Sequence, residues 1–390
     1  MKSIEFDAEI VGTGIEDGNR FVILNHTEFY PDGKGGQLGD RGKIGPATVI
    51  MVIERDHTVL HYVDTSLDFS RVHCIIDSQR RFDNSVQHTA QHILSQAFVS
   101  LYDIETVGFH MGEEVSTIDL DSFDITEEMI EEVERLSNGI VFEDRRVKKY
   151  TVEDEEIERL NLRKKENIKG KIKIVEIEGF DCSMCGGTHV NSTGAIGLVK
   201  VIKQEKVKKT LTRLTFVAGF RALRDYHTRV KIINSISCLL TTGEEELIRK
   251  IEILLEENGE LRKNNKVTMK KLLDYIEKEL LQNKESVGQF SFIREELPSL
   301  KKDELSYIGN LLACEPNTFS LIYNKEVGLL ILGTDIPCDF LLNIKEKFFF
   351  NLRSWTDKNF LFFEFKDKSF LEDLSSLIRL NLTGLNKNQE

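Results

Sequence analysis

The chain has 390 residues, of which 40% are hydrophobic and 30% charged, with 24 Phe and 5 Pro. This length corresponds to about two or three domains. The composition excludes collagen-like, low-complexity and wholly disordered proteins, which cannot bury enough apolar surface to offset chain entropy. No apolar run approaches the ~20 residues of a membrane span, and the N-terminus lacks the apolar core of a signal peptide. We therefore expect a cytoplasmic protein without a membrane association.

The net charge of -13 is distributed unevenly along the chain. Glu113 to Glu158 holds 17 acidic and 5 basic residues, a net of -12, whereas Gly197 to Lys231 holds 10 basic and 2 acidic residues, a net of +8. Such runs are usually solvated faces. The basic stretch nevertheless permits a phosphate-backbone partner, because affinity follows the local patch of charge and not the total.

Residues 1–80 carry short alternating apolar runs separated by Gly, Asp and Asn, a pattern typical of β-strands. The predicted strands are Phe21 to Leu24, Ala47 to Ile53, Val59 to Val63 and Val72 to Ile76. Their spacing predicts a small β-barrel or a sandwich, of which we expect the barrel.

Helices and strands alternate over residues 81–235 and predict a two-layer α+β domain. One helix is expected from Asn84 to Leu101, and a second is expected to begin at Thr126, whose hydroxyl is a suitable N-cap. The predicted strands are Gly139 to Phe142, Val147 to Val152, Lys171 to Ile177, Gly197 to Lys203 and Thr212 to Ala218.

From Glu244 to Lys284 the chain has one Gly and no Pro, and Leu or Ile recurs at near-heptad spacing. This pattern predicts a long helix within a linker at 236–285. Its apolar stripe either forms a coiled-coil homodimer or packs in a helical hairpin on its own chain. A C-terminal α/β domain at 286–390 follows. Its predicted strands are Thr318 to Tyr323, Val327 to Leu332 and Phe360 to Phe365, and its predicted helices are Lys301 to Cys314, Phe340 to Phe348 and Phe370 to Leu380.

Two short motifs offer metal ligands. In His88-Thr-Ala-Gln-His92 the imidazoles share a helix face, and in Cys185-Gly-Gly-Thr-His189 a thiolate and an imidazole flank two flexible glycines. Three His and one Cys form a tetrahedral set that suits zinc, so we expect one Zn²⁺ per chain. Cys182 completes a C-x-x-C with Cys185, but the glycines that follow disfavour a redox helix, and we interpret Cys182 as a neighbour of the site.

A third motif, the glycine-rich loop from Phe29 to Asp40, is not specific by itself, because most such loops are turns. Together with residues 80–95, residues 181–190 and the stretch from Gly194 to Gly219, however, it resembles the editing domain shared by alanyl-tRNA synthetases and their stand-alone relatives. The resemblance covers about residues 1–235. No aminoacylation core precedes the motifs, so the chain resembles the long stand-alone form. The resemblance identifies residues 81–235 as a zinc-binding editing domain.

The resemblance implies hydrolysis of mischarged tRNA(Ala), chiefly seryl-tRNA(Ala), with glycyl-tRNA(Ala) as a second substrate. A pocket for alanine rejects serine by only ~100-fold, so a second site must correct the error. That site can spare alanine by placing a buried polar group against the serine hydroxyl. The candidates are Thr89, Gln91, His110 and Thr188, although each also suits a structural role, and Gly35, Gly36 and Gln37 of the glycine-rich loop are expected beside the substrate.

The acceptor stem of tRNA(Ala) is the expected partner. The residues predicted to contact its phosphates are Lys200, Lys203, Lys206, Lys208, Lys209 and Arg213. The metal could supply hydroxide or position the substrate, and the sequence leaves both open. An inactive tRNA-binding module that retains the zinc fold is the alternative function, and a zinc hydrolase of small molecules is disfavoured by the basic stretch.

Overall fold

The computed structural model describes residues 4–164, 170–207, 210–335, 354–357, 360–365 and 370–385. Contacts are densest within two compact units, Met1–Leu239 and Leu240–Glu390. Both units mix helices with sheets, so the predicted α+β class is confirmed. The finer division of the chain at residues 80, 235 and 285 stays a prediction.

The first unit begins with a closed sheet. Its strands are β1 (Ile4–Glu16), β2 (Asn19–Leu24), β3 (Gly42–Ile44), β4 (Ala47–Arg55), β5 (Thr58–Val63) and β6 (Arg71–Ile76). They are hydrogen-bonded in the order β1-β2-β5-β4-β3-β6, and β6 pairs with β1 to close the barrel. The glycine-rich loop lies between β2 and β3, so the barrel is the scaffold from which this loop projects.

Helices and two further sheets form the rest of the first unit. The elements are α1 (Ser78–Tyr102), β7 (Thr106–Met111), β8 (Ser116–Leu120), α2 (Glu127–Phe142), β9 (Val147–Val152), α3 (Asp154–Ile157), β10 (Ile172–Ile177), β11 (Asp181–Met184), β12 (Val199–Val207), β13 (Leu211–Ala218) and α4 (Phe220–Leu240). The sheets have the orders β12-β13-β8-β7 and β11-β10-β9. Buried apolar residues of α1 and α2, among them Ile93, Phe98 and Val133, share one core with Phe216 of β13.

The predicted start of α2 is accurate, whereas the predicted start of α1 is not. Thr126 caps α2 as predicted, since its hydroxyl accepts a hydrogen bond from the Met129 N–H at 3.3 Å. α1 begins one and a half turns earlier than predicted, because the Asp77 carboxylate accepts the N–H groups of Gln79 and Arg80. The strand predicted from Gly139 to Phe142 is wrong. This segment is the last turn of α2, where Ile140 and Val141 continue the helical apolar face begun by Val133.

The second unit is a six-stranded sheet with helices on both faces. Its elements are α5 (Leu247–Gln282), β14 (Glu285–Val287), β15 (Phe290–Glu296), α6 (Lys302–Ala313), β16 (Thr318–Asn324), β17 (Leu329–Thr334), β18 (Ser354–Asp357), β19 (Phe360–Glu364) and α7 (Phe370–Leu385). The strand order is β14-β15-β16-β17-β19-β18. Leu321 and Leu374 belong to the core beneath α7, whereas Ile322 and Leu305 belong to the core beneath α5 and α6. The helix predicted from Phe340 to Phe348 lies outside the described residues.

The predicted long helix is confirmed as α5, although it is shorter than predicted because residues 244–246 form a 3-10 turn. Its C-terminal part packs into the second unit through Leu273 and Leu280. Towards its N-terminal end, Leu254 and Leu261 are exposed by 40% and 67%. Among the helices of the described ranges, none is long and apolar enough to cross a bilayer.

Candidate metal centre

Two segments far apart in the chain bring four metal-binding side chains together. His88 and His92 are one turn apart on α1, and Cys185 and His189 lie in the loop after β11. The Cys185 sulfur is 3.4 Å from His88 Nε2 and 3.3 Å from His189 Nε2. The four ligand atoms all lie within 4.8 Å of one another, a spacing that a single ion can bridge.

The loop that carries Cys185 is held against α1 by local contacts. The Cys185 N–H donates to the Lys173 carbonyl of β10 at 3.0 Å, which extends the pairing of β11 by one residue. Gly187 lies directly against the His88 ring, at a distance that leaves no room for a Cβ atom. The glycines of the second motif therefore permit a close approach that any larger residue would prevent.

Each histidine ring is oriented by a hydrogen bond at Nδ1. His88 Nδ1 is 2.8 Å from Gln37 Oε1, and His92 Nδ1 is 2.9 Å from Asp181 Oδ2. His189 Nδ1 is 3.2 Å from Thr89 Oγ1, whose own proton goes to the Ser85 carbonyl. With the Nδ1 protons held in these bonds, Nε2 is the atom that each ring turns towards the cluster, and a metal ion binds there once Nε2 is free of its proton.

Burial and mutual contact shift the titration of the cluster. Burial lowers the pKa of His189 to about 3 and also lowers the pKa of His88. Burial would lower the pKa of His92 too, but hydrogen bonds to Asp181 and Cys185 outweigh it and raise this pKa to about 9. Burial opposes ionisation of Cys185, yet hydrogen bonds from His189 and His88 hold its pKa far below the usual range. At neutral pH the metal-free cluster therefore pairs a Cys185 thiolate with a His92 imidazolium, and His92 must release its Nε2 proton when a metal ion binds.

A cavity of about 440 Å³ opens onto His88, His92 and Cys185, three of the four donors. This volume lies within the range of ~300–1,000 Å³ that is usual for sites of small-molecule size. The lining residues include Tyr30 and Gly35 of the glycine-rich loop, Gln91 of α1, Phe109 of β7 and Arg163. Phe109 stacks on His88 with ring centroids 5.3 Å apart, so it forms one wall of the cavity beside the donors.

Comparisons with known proteins agree with this architecture. Residues 172–215, which include β10, β11 and the Cys185 motif, match the family described as the threonyl and alanyl tRNA synthetase second additional domain. The chain is 32% identical to the alanyl-tRNA editing protein AlaX-L of Pyrococcus horikoshii over 360 residues, which cover 88% of this chain and 87% of the relative. The chain belongs to the family of alanyl-tRNA editing proteins.

The family reaches animals as well as archaea. The alanyl-tRNA editing protein Aarsd1-A of Xenopus laevis is 32% identical over 80% of this chain and 76% of the relative. The alanine–tRNA ligase of Pyrococcus furiosus is 31% identical over 85% of this chain but only 37% of its own length. The similarity to full editing proteins thus extends beyond the metal-binding segments into the second unit.

Only some of the residues predicted for the editing pocket line the cavity. Gln91 and Gly35 line the cavity. Thr89 and Gln37 are buried behind the histidines and hold them by hydrogen bonds. Thr188 bonds to Ser85 and to Gln37, away from the lining. Gly36 packs against the Phe109 backbone.

The prediction that His110 belongs to the pocket is not supported. Side chains alternate along a strand, and in β7 the Phe109 ring occupies the cavity side. His110 is exposed and does not line the cavity. Periodicity alone could not have shown which of the two neighbours faces the metal cluster.

The basic stretch predicted to contact tRNA is largely paired within the protein. Lys200 binds Glu134 at 2.6 Å, and Lys203 binds Glu205 at 2.7 Å. Arg213 makes two hydrogen bonds to Asp119, at 2.7 and 2.8 Å. Lys206 lies over the Phe123 ring, 3.8 Å from its centroid. Lys208 and Lys209 lie outside the described residues.

Three residues of the site were missed by the sequence analysis. Asp181 orients His92, Tyr30 lines the cavity, and Arg163 lies between the cavity and Asp181. Tyr30 and Asp181 fall within the motifs that carry the resemblance, so those motifs were an available signal for both. Arg163 sits in a charge-rich loop without periodicity, and nothing in the sequence distinguishes it from a solvated arginine.

Proposed function

We propose that this editing-family chain hydrolyses the ester bond of mischarged tRNA(Ala), chiefly seryl-tRNA(Ala), with glycyl-tRNA(Ala) as a second substrate. The observation that carries the proposal is the cluster of His88, His92, Cys185 and His189 at a cavity of about 440 Å³, a size that suits the aminoacylated terminal nucleotide of a tRNA. Trans-editing of this kind implies a cytoplasmic protein, as expected from the sequence.

The donor set fits Zn²⁺, because a thiolate and three neutral imidazoles are its usual tetrahedral ligands. A bound zinc ion supplies Lewis acidity, which polarises a carbonyl or lowers the pKa of a nearby water. The protein's own contribution is the orientation of the donors through Gln37, Asp181 and Thr89, and the walls that confine the substrate. If the four residues hold one ion, Cys185→Ala should lose zinc in elemental analysis, and unchanged zinc content would contradict the ligand assignment.

Gln91 is the residue that we propose for recognition of the serine hydroxyl. It is 6% exposed and lines the cavity, and its Nε2 donates to Ser95 Oγ at 2.8 Å. Its carbonyl oxygen has no protein hydrogen-bond partner within the described ranges and is available to a hydroxyl. A bound substrate displaces water from this acceptor, so alanine would leave it without a partner, and sites of that type discriminate by ~10⁴ or more.

The test is deacylation of seryl-, glycyl- and alanyl-tRNA(Ala) by the zinc-loaded chain. We expect release of serine and retention of alanine. Gln91→Ala should reduce seryl release, whereas Gln96→Ala should not, since Gln96 makes the equivalent bond to Ser100 without lining the cavity. Equal rates for all three substrates would contradict the selective pocket. No turnover of any substrate would favour the alternative of an inactive tRNA-binding module.

Contact between tRNA and the basic stretch stays a prediction. Because Lys200, Lys203 and Arg213 are paired with carboxylates, each phosphate contact there must replace an ion pair within the protein. We expect Lys200→Gln combined with Lys203→Gln and Lys206→Gln to weaken tRNA binding. The slope of log affinity against log salt should fall by roughly one unit or less per lost contact. Unchanged binding at physiological salt would place the tRNA elsewhere.

A further inference from the structure

Arg163 is held rigidly at the wall of the metal-site cavity. Its Nη1 donates to the His92 carbonyl at 3.1 Å, and its Nε lies 3.6 Å from Asp181 Oδ1. Its backbone N–H is bonded to the Cys182 carbonyl at 2.9 Å, and its side chain is 16% exposed. Nη2 has no protein partner in the part of the chain that the structure describes. The guanidinium is thus fixed in direction while retaining free donors.

The Nη2 donors of Arg163, which Asp181 does not engage, are the feature that suits an anion. Outside the donor cluster, the charged side chains lining the cavity in the described ranges are Lys34, Glu105, Arg163 and Lys164. Lys34 is paired with Glu54. Of the remaining cations, Lys164 is exposed, whereas Arg163 is largely withdrawn from water. A partly desolvated guanidinium binds phosphate more strongly than an exposed ammonium, because its planar fork presents several donors in a fixed geometry.

We propose that Arg163 binds the phosphate on the 5′ side of the acylated terminal nucleotide. This inference rests on the proposed function, because it takes an aminoacylated nucleotide as the ligand. In an aminoacylated tRNA this phosphate is the anion closest to the ester along the chain, and a cavity of about 440 Å³ suits a ligand of nucleotide size. Held between the phosphate and Asp181, the guanidinium would fix how far the nucleotide enters and so place the ester beside the metal ligands.

The experiment measures binding of two non-hydrolysable ligands to the zinc-loaded full chain by calorimetry. Both are 3′-seryl-amido adenosines, one with and one without a 5′-phosphate. We expect the parent protein to bind the phosphorylated ligand roughly tenfold to a hundredfold more tightly, as is usual for a hydrogen bond to a charged group. Arg163→Met should abolish that preference and leave affinity for the unphosphorylated ligand unchanged. Arg163→Lys should retain part of it.

Lys34→Met provides the matched control, because Lys34 also lines the cavity but its side chain is 52% exposed and its ammonium is paired with Glu54. This variant should keep the full preference for phosphate. Three results would overturn the proposal: no preference in the parent, full preference in Arg163→Met, or an equal loss for both ligands together with lower zinc content. The last result would mean that Arg163 only supports Asp181 and His92.

Binding and turnover separate this inference from the proposed function. Absence of serine release from seryl-tRNA(Ala) would refute the deacylase activity, whatever the calorimetry shows. A lost phosphate preference with normal serine release would refute only the role of Arg163.

Discussion

Adding one methyl group at Gly187 should disrupt the metal centre. A Cβ atom at this position would lie inside van der Waals contact of the His88 ring and 3.0 Å from Gln37 Oε1. Ordinary carbon contacts are about 3.5–4.0 Å, so the ring or the loop must retreat by roughly 1.5 Å or more. The ring has little freedom, because it is stacked on Phe109 and bonded to Gln37.

The expected loss follows from the tolerance of metal coordination. Zinc–ligand distances hold within about 0.2 Å, several times less than the required movement. Gly187→Ala should therefore remove His88 as a ligand. Even disturbing the outer partners of a ligand costs about 10–100-fold in metal affinity, so we expect at least that reduction. Overpacking should also destabilise the fold by about 1–3 kcal/mol.

Gly186→Ala is the matched control, since the nearest atom to its Cβ would be Lys173 Cδ at 3.9 Å. Zinc affinity is measured by competition with a chromophoric chelator, and stability of the metal-free forms by urea unfolding. Gly186→Ala should bind zinc like the parent. Equal zinc affinity in the two alanine variants would refute the close packing of Gly187 on His88.

Three further results are expected. Gln37→Met removes the acceptor for His88 Nδ1–H and should lower zinc affinity about 10–100-fold. Gln37→Glu retains an acceptor and should keep the affinity. Equal zinc affinity of the two variants would contradict the orienting role of Gln37. Burial lowers the pKa of His61 from 6.5 to about 4. As the pH falls, His61 is therefore protonated in the unfolded chain before it is protonated in the folded protein, and this favours unfolding. Stability should drop between pH 6.5 and 4 by up to about 3 kcal/mol, and His61→Gln should show a smaller drop in urea unfolding. The exposed Leu254 and Leu261 of α5 should support a homodimer through residues 244–284. Light scattering should therefore report a dimer, and Leu261→Glu should dissociate it. A parent protein that is monomeric at micromolar concentration would reject the dimer.

Local pattern was sufficient to predict much of the fold and to select the four side chains that the structure brings together as candidate metal donors. The helical period places His88 and His92 on one face, and the spacing of Cys185 and His189 lets both donors turn towards one ion. Strand alternation and the apolar repeat predicted most elements, including α5. Failure came where two periods compete, as at the end of α2, because a four-residue apolar run suits a strand and a helix equally.

The tertiary structure decided which neighbours each functional residue has. Gln37 reaches His88 across 51 residues of sequence, and Asp181 reaches His92 across 89. No local period encodes such pairings, since they arise from how the barrel, α1 and β11 pack. The same packing turned Phe109, and not His110, towards the cavity and paired Arg213 with Asp119. Residue types and their spacing therefore determine which functional groups this chain carries. Long-range packing determines how each group is oriented, whether an ion pair neutralises it and whether it faces the cavity.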